Sequence, residues 1–320
     1  MHASAIGNAY DSPSRDRHSA MTTFRRMAYW LAVVEEGSFT RAALRMHVSQ
    51  PSLSQQVRLL EQEIGGELLE RLPRSVRLTA AGKAFLPHAR TAVRAAERAQ
   101  HAARSALDLE TGELEISTVR SIAAGILPDL VQSWRQRHPG TFVRLHEFTH
   151  RSLAEDSVRG GVGDLGIGPP PIDWTGPVRR LGWEEFLVVL APEDPLASRH
   201  KVRLAQLKDR DWVMFESGNG LHDLIVSACG SAGFTPRHAV LTSQVETAAR
   251  LAAAGVGPTL VPENVIPDGL EGALLRVDPP LGRELTVYAR ERWGPAGGAF
   301  VELMAETRWA KPPRGALVVP

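Results

Sequence analysis

The chain has 320 residues, with 37 Lys and Arg against 36 Asp and Glu, and a single cysteine. That length exceeds one small domain, and a net charge of +1 excludes binding by bulk charge of either sign. One cysteine excludes an internal disulfide and a cysteine-rich metal site, and without a run of about 18 apolar residues no membrane-spanning helix is expected.

Residues 1–20 are polar and lack the apolar core of a signal peptide. With Met21 just ahead of the first periodic segment, residues 1–21 are expected to be a disordered extension or a tag. FRRMAYWLAVVEEG then predicts a helix with Met27, Trp30, Leu31 and Val34 on one face, punctuated by Gly37. Next, SFTRAALRMHVSQPSLSQQVR (38–58) holds two short amphipathic helices. Phe39, Ala42, Ala43 and Met46 recur at i, i+3, i+4 and i+7, with Ser38 placed as an N-cap. His47, Val48 and Ser49 form the turn, Ser49 can cap the second helix, and Pro51 falls in the first turn, where no amide donor is needed. Leu53, Val57, Leu60 and Ile64 line one face of that helix. Pro51, Ser54, Gln55, Arg58 and Gln62 are expected on the other. Periodicity alone fits an ordinary pair of surface helices as well as a helix-turn-helix, whose second helix enters the DNA major groove. In that groove Arg can read guanine and Gln adenine. Downstream, LLERLPRSVRLTAAG predicts a basic β-hairpin beside the helix pair, with Arg71, Arg74 and Arg77 spaced to touch phosphate or enter the minor groove.

Residues 24–82 resemble the winged helix-turn-helix of LysR-type transcriptional regulators, through AVVEEGSFTRAALRMHVSQPSLSQQVRLLEQEIGGELLER followed by VRLTAAG. The match covers about sixty residues with many fixed spacings. Leu69 stands where the family usually has Phe, an apolar exchange that repacks at modest cost. The resemblance implies DNA-facing positions at Ser49, Gln50, Pro51, Ser52, Ser54, Gln55 and Arg58, and phosphate contacts at Thr40 and Arg41. Residues 22–80 carry 8 Lys and Arg against 6 Asp and Glu, residues 81–111 carry 5 against 3, and the remainder from 112 carries 22 against 25. So mild a bias means that affinity for DNA comes from placed cations and from duplication of the head.

The alanine-rich stretch 81–110 predicts a long helix, with Leu86, Val93 and Leu107 among Ala89, Ala96 and Ala103, ended by Thr111 and Gly112. It reads either as a helix lying on its own domain or, as the resemblance implies, as the linker that dimerises the chain. From Glu113 the texture changes. LEIST, FVRLHEF, DLGIG, EFLVVLAP, DWVMF, AVLTS, PTLVP and ELTVYAR alternate with helical patterns at 122–137, 153–159, 220–232 and 245–254. This alternation predicts an α/β domain of mostly parallel strands. It resembles the family's effector domain, including GDLGI at 163–167, EDPLA at 193–197 and LAAAGVGPTLVP at 251–262. The fold class implied is α/β overall: an N-terminal winged helix-turn-helix and linker helix, then two Rossmann-like subdomains like those of type 2 periplasmic binding proteins. The expected domains are 22–80 for DNA binding, 81–110 for the linker and 111–310 for effector binding. In the last, one lobe spans 113–182 and 271–310 and the other 183–270. Residues 311–320 are expected to be a flexible tail.

Three motifs point elsewhere on a first pass. His146-Glu147-Phe148-Thr149-His150 spells HExxH, but zinc protease chemistry needs both histidines on one helical face. This string continues a strand-like run, where positions four apart lie ~13 Å apart. Gly161, Gly163 and Gly166 spell GxGxxG, yet they precede a strand and run into Pro169, Pro170 and Pro171 rather than opening a helix. Cys229 reads best as a small core residue, with sulfenic acid chemistry at a lone thiol left open.

A domain of the implied build takes its ligand between the lobes, at strand ends and helix N-termini. Three loops qualify: Thr118, Arg120 and Ser121; Ser217 and Asn219; and Thr242, Ser243 and Gln244, with Thr247 on the following helix. Arg120 would favour an anion, while Ser121 has the alternative role of a helix N-cap. The expectation is a non-enzymatic bacterial regulator without cofactor or metal, working in the cytoplasm. As a homodimer or homotetramer it would bind double-stranded promoter DNA, a small-molecule effector of anionic type and RNA polymerase. The rival reading is an α/β solute-binding module or enzyme with an accessory helical head.

Overall fold

Helix α1 (Asp16–Glu36) is the first element of the computed structural model, which describes residues 16–72, 75–107 and 113–319. It starts inside the segment expected to be an extension, because no Gly or Pro interrupts the sequence after Pro13. Helices α2 (Phe39–Arg45) and α3 (Gln50–Ile64) follow. Ser38 caps α2 by accepting from the Arg41 amide, and Ser49 caps α3 by accepting from the Ser52 amide, both at 3.4 Å. His47 makes the turn with a left-handed backbone (φ 53°). Strands β1 (Leu69–Leu72) and β2 (Ser75–Leu78) form the antiparallel hairpin. Trp30, Val33, Ala42, Leu53, Val57, Leu60 and Leu68 make one core, with Met27 and Val34 at its margin. Ile64, expected on this face, is 42% exposed. It is the last helical residue before the left-handed Gly65, and the packed face ends a turn earlier at Leu60.

Helix α4 (Ala80–Leu107) leaves the hairpin. Its first turns lie on the head's own core. Ala89 is buried there, Phe85, Leu86 and Val93 pack beside it, and the Phe85 ring meets Trp30 edge-on with centroids 5.3 Å apart. The sites expected to end this helix, Thr111 and Gly112, lie outside the described residues. The chain divides into two compact units, Met1–Gln100 and His101–Pro320.

In the second unit β3 (Glu113–Val119), α5 (Arg120–Gly125), α6 (Leu127–Arg137), β4 (Phe142–Phe148), α7 (Arg151–Arg159) and β5 (Leu165–Gly168) build the first lobe. Strand β3 runs parallel to both β4 and β5. Strand β6 (Val178–Leu190) then leads into β7 (Lys201–Val202), β8 (Asp211–Phe215), α8 (Gly220–Ser231), β9 (Arg237–Thr242), α9 (Val245–Ala253), β10 (Thr259–Pro262) and β11 (Ala273–Val277). Strand β12 (Leu281–Tyr288), α10 (Pro295–Glu306) and β13 (Leu317–Val318) complete the chain. Two separate cores result. One holds Leu114, Ile116, Trp134, Leu165, Val287 and Phe300, and the other Phe186, Trp212, Phe215, Ile225, Ala249 and Leu260.

The expectation of mostly parallel strands needs correcting. Strands β8 and β9 are parallel, but β6 pairs antiparallel with β10, β11 and β12, and β12 pairs antiparallel with β5. Every antiparallel pair of this unit includes β6 or β12, the strands that carry the chain between lobes. The first half of β6 pairs with β12, and its second half pairs with β10 and β11. The lobe boundary expected at 182/183 therefore falls inside one continuous strand. Residues 273–277, assigned to the first lobe from sequence, belong to the second, since Leu275 and Val277 join its core. The segment 311–320 is no loose tail. Leu317 and Val318 pair with Leu281 and Gly282, and Val319 is buried in the second core.

The GxGxxG string is the turn before β5. Gly161 has a left-handed backbone (φ 75°), and Gly166 lies against the Tyr288 ring, where a Cβ would overlap it. In the HExxH string, His146 lies on β4 near Glu115, whereas His150 caps α7 and lies 3.3 Å from Asp223. The two imidazoles turn to different partners.

Candidate functional site

On α3, at about 100° per residue, Leu53, Val57 and Leu60 centre one face, and Pro51, Gln55, Arg58 and Gln62 the opposite one. The latter four are all exposed, as are Ser49, Gln50 and Ser52. Arg58 forms no ion pair among the described residues. Ser54 departs from the expectation. Its side chain is 7% exposed, because it stands only 100° from Leu53 and shares that flank with buried Glu61. Ser54 thus lies on the flank of α3, between the packed face and Arg58.

Thr40 and Arg41 are exposed at the start of α2. The Arg41 guanidinium donates to the Glu36 carbonyl and lies 3.7 Å from the Glu36 carboxylate. An exposed pair of this kind costs at most about 1 kcal/mol to release. Arg77 is exposed on β2, opposite Glu70. Arg74 and the side chain of Arg71 lie outside the described residues. Sequence reasoning missed Glu61, whose Oε1 accepts from the Leu68 and Leu69 amides at 3.0 and 3.1 Å. These two bonds tie α3 to β1. An acid on the flank between an apolar face and a polar one was the available signal.

In the second unit a cavity of about 600 Å³ opens between the lobes, a size suited to a small molecule. Arg120, Ser121, Asn219, Ser243 and Gln244 line it, as expected from sequence. Ser217, Thr242 and Thr247 do not. Thr118 is fully buried, with its hydroxyl donating to the Ile167 carbonyl at 2.7 Å, so it bridges β3 to β5 instead of facing a ligand. The Thr242 hydroxyl accepts from the Gln244 amide, Ser217 stands exposed in the loop before α8, and Thr247 is exposed on α9. Asn219 is the N-cap of α8 through the Leu221 amide. Ser121 is not an N-cap. That position is Val119, and the Ser121 hydroxyl accepts from Arg283 Nη2 at 2.8 Å.

Arg283, His150, Arg151, Asp223 and Glu246 also line the cavity and were not foreseen. The signal for Arg283 lay in the strand period. It stands in phase with Leu281 and Leu285, both core residues. Cross-lobe contacts surround the cavity: the Gly220 amide donates to the Thr149 carbonyl at 2.9 Å, and His150 faces Asp223.

Cys229 is buried in α8, and burial pushes its thiol up to about 12. At neutral pH the nucleophilic thiolate is absent. Iodoacetamide is expected to leave Cys229 unmodified in the folded protein and to label it fully in denaturant, read by intact mass. Labelling of the native chain at the denatured rate would contradict this burial.

Residues 24–83 match the family model described as a bacterial regulatory helix-turn-helix protein of the lysR family, and residues 107–309 the one described as a LysR substrate binding domain. The chain is 33% identical to the HTH-type transcriptional regulator AlsR of Bacillus subtilis, over 75% of this chain and 80% of that one. It is 31% identical to the RuBisCO operon transcriptional regulator of Allochromatium vinosum, over 88% and 95%. Among solved structures it resembles CbnR, a LysR family transcriptional regulator, with TM-score 0.69 and 26% identity over 88% of this chain and 98% of that one. Full-length CbnR bound to its target DNA gives 0.68 and 27% over the same shares. These relatives are named as transcriptional regulators. The exposed face of α3 and the cavity between two lobes thus fall in the two matched domains, and the chain belongs to the LysR family of DNA-binding transcriptional regulators with an effector-binding domain.

Proposed function

We propose that the head reads one half-site of an interrupted inverted repeat, with Gln50, Pro51, Ser52, Gln55 and Arg58 against base edges in the major groove. Ser49, Thr40, Arg41 and the wing's Arg77 hold the phosphates. The observation that carries this is the exposed Pro51, Gln55 and Arg58 row on α3, opposite a face sealed into the core. Arg58 leads because it is unpaired among the described residues, and its guanidinium can bind guanine bidentately. Duplication through the distal part of α4 would give a homodimer or homotetramer presenting two heads to two half-sites. In the cytoplasm, on promoter DNA, such an assembly lies within reach of RNA polymerase. A small molecule in the cavity, met by Arg120, Ser121, Asn219, Ser243 and Gln244, would bias the two lobes, and with them the spacing or bend of the bound DNA.

Arg58→Ala is expected to weaken binding to the specific site by ~1–3 kcal/mol and to relax preference at one base pair of each half-site. Gel-shift titrations against the site and single-base variants measure both. Unchanged affinity and preference would remove Arg58 from the reading face.

A further inference from the structure

Arg283 sits on the wall of the cavity between the lobes, with 5% of its surface exposed. Its strand partner is Glu184 on β6, to whose Oε2 its Nε donates. Its Nη2 donates to Ser121 of the first lobe, and the other Glu184 oxygen accepts from Asn264 Nδ2 of the second at 2.8 Å. Nη1 has no partner among the described residues. A guanidinium on a cavity wall whose Nη1 is not sealed from solvent can offer an incoming acid charge-assisted hydrogen bonds.

The rest of the lining is divided by charge. Arg120, His150 and Arg151 stand on the first lobe, while Asp223 and Glu246 stand on the second, in the first turns of α8 and α9. Acids at those positions fill the places where a helix N-terminus would otherwise attract a second anion. Between the two walls the surface is apolar, with Val119, Ile172, Leu221, Leu224 and Val265.

We propose that the effector is an amphipathic monocarboxylate, whose single acid group is received by Arg283 and Ser121 and whose uncharged apolar body lies along Leu221 and Leu224. The proposal rests on the cavity being the effector site and adds the ligand class and the residue that selects it. A dicarboxylate of similar length would set its second charge against Asp223 and Glu246. A neutral amide would lose the charge-assisted bonds to the guanidinium. The acid would also compete with Glu184 and Ser121 for Arg283, the group through which Ser121 and Asn264 are joined.

The test is isothermal titration of the full chain with three probes of matched length: 6-methylheptanoate, its amide, and adipate. The acid is expected to bind ~10-fold or more tightly than either of the others. Because Arg283→Ala would strand Glu184 in the interior, the variant of choice is Arg283→Met with Glu184→Gln, an exchange of a buried ion pair that folds tolerate. In that variant, with melting checked, the acid is expected to lose its advantage over the amide. Adipate binding as well as the acid, the amide matching it, no probe binding at all, or a preference surviving in the double variant would each overturn the proposal. Gel shifts with and without each probe separate the two readings: a shift altered by the amide or adipate and lost in a Leu224→Trp variant that fills the cavity keeps the cavity as the effector site and sinks the ligand class alone.

Discussion

Trp30→Ala is expected to remove about 3–5 kcal/mol from the stability of the DNA-binding head. Trp30 is fully buried among Val33, Ala42, Leu53 and Val57, with the Phe85 ring edge-on against it. It thus packs α1 to α3 and to the first turns of α4 at a single point. A domain of this size has only about 5–15 kcal/mol in total, so the loss leaves the head partly unfolded at physiological temperature. Specific DNA affinity should fall with it, while the effector unit, which has its own two cores, keeps its melting transition. Trp30→Phe is the informative control. It retains the aromatic contact and removes an indole N–H that is buried without a hydrogen-bond partner, so it should cost less, under about 2 kcal/mol. Denaturant unfolding with gel shifts on the same samples measures the series. A head that melts normally with Ala at position 30 would contradict the core described above.

Glu61→Ala is expected to destabilise the head by about 2–4 kcal/mol, because it strands the buried amides of Leu68 and Leu69 without an acceptor. The effect should be local. The α3 helix has its own caps at Ser49 and Gly65, but the strand entering the wing loses the bond that fixes it to that helix. Hydrogen exchange should therefore rise first at residues 68–72, and binding to specific DNA should weaken more than global melting alone would account for. Glu61→Gln keeps an acceptor oxygen and is expected to recover most of both. Unchanged exchange at Leu68 and Leu69 in Glu61→Ala would mean that the carboxylate does not position the wing.

The head was legible because its signals are local. Caps, Pro51 and a 3.6-residue apolar period identify α2 and α3 within twenty residues. A periodic rule misleads at the edges of a face: Ser54 stands only 100° from Leu53 and is buried with it, and the core stops at Leu60, short of Ile64. The second unit was less legible, because its architecture depends on long-range pairing. Nothing local in VRRLGWEEFLVVL announces that one strand serves two sheets, or that β11 pairs with its second half. The anchoring of Val319 is likewise a contact with a strand some forty residues earlier. Of the cavity, the loops at Arg120, Asn219 and Ser243 could be placed by strand-to-helix order. Arg283 and Glu184 could not be placed that way, since their meaning comes from facing each other across paired strands. The period-2 phase of Arg283 with Leu281 and Leu285 was the one clue.

The most direct test of the account is selection of bound duplexes from a random-sequence pool by the full-length protein. The expected result is enrichment of an interrupted inverted repeat, its two half-sites related by two-fold symmetry, with preference at one position per half-site relaxed in Arg58→Ala. Enrichment of no sequence, or of an asymmetric sequence indifferent to Arg58, would contradict the reading of α3 as the recognition element of a duplicated head.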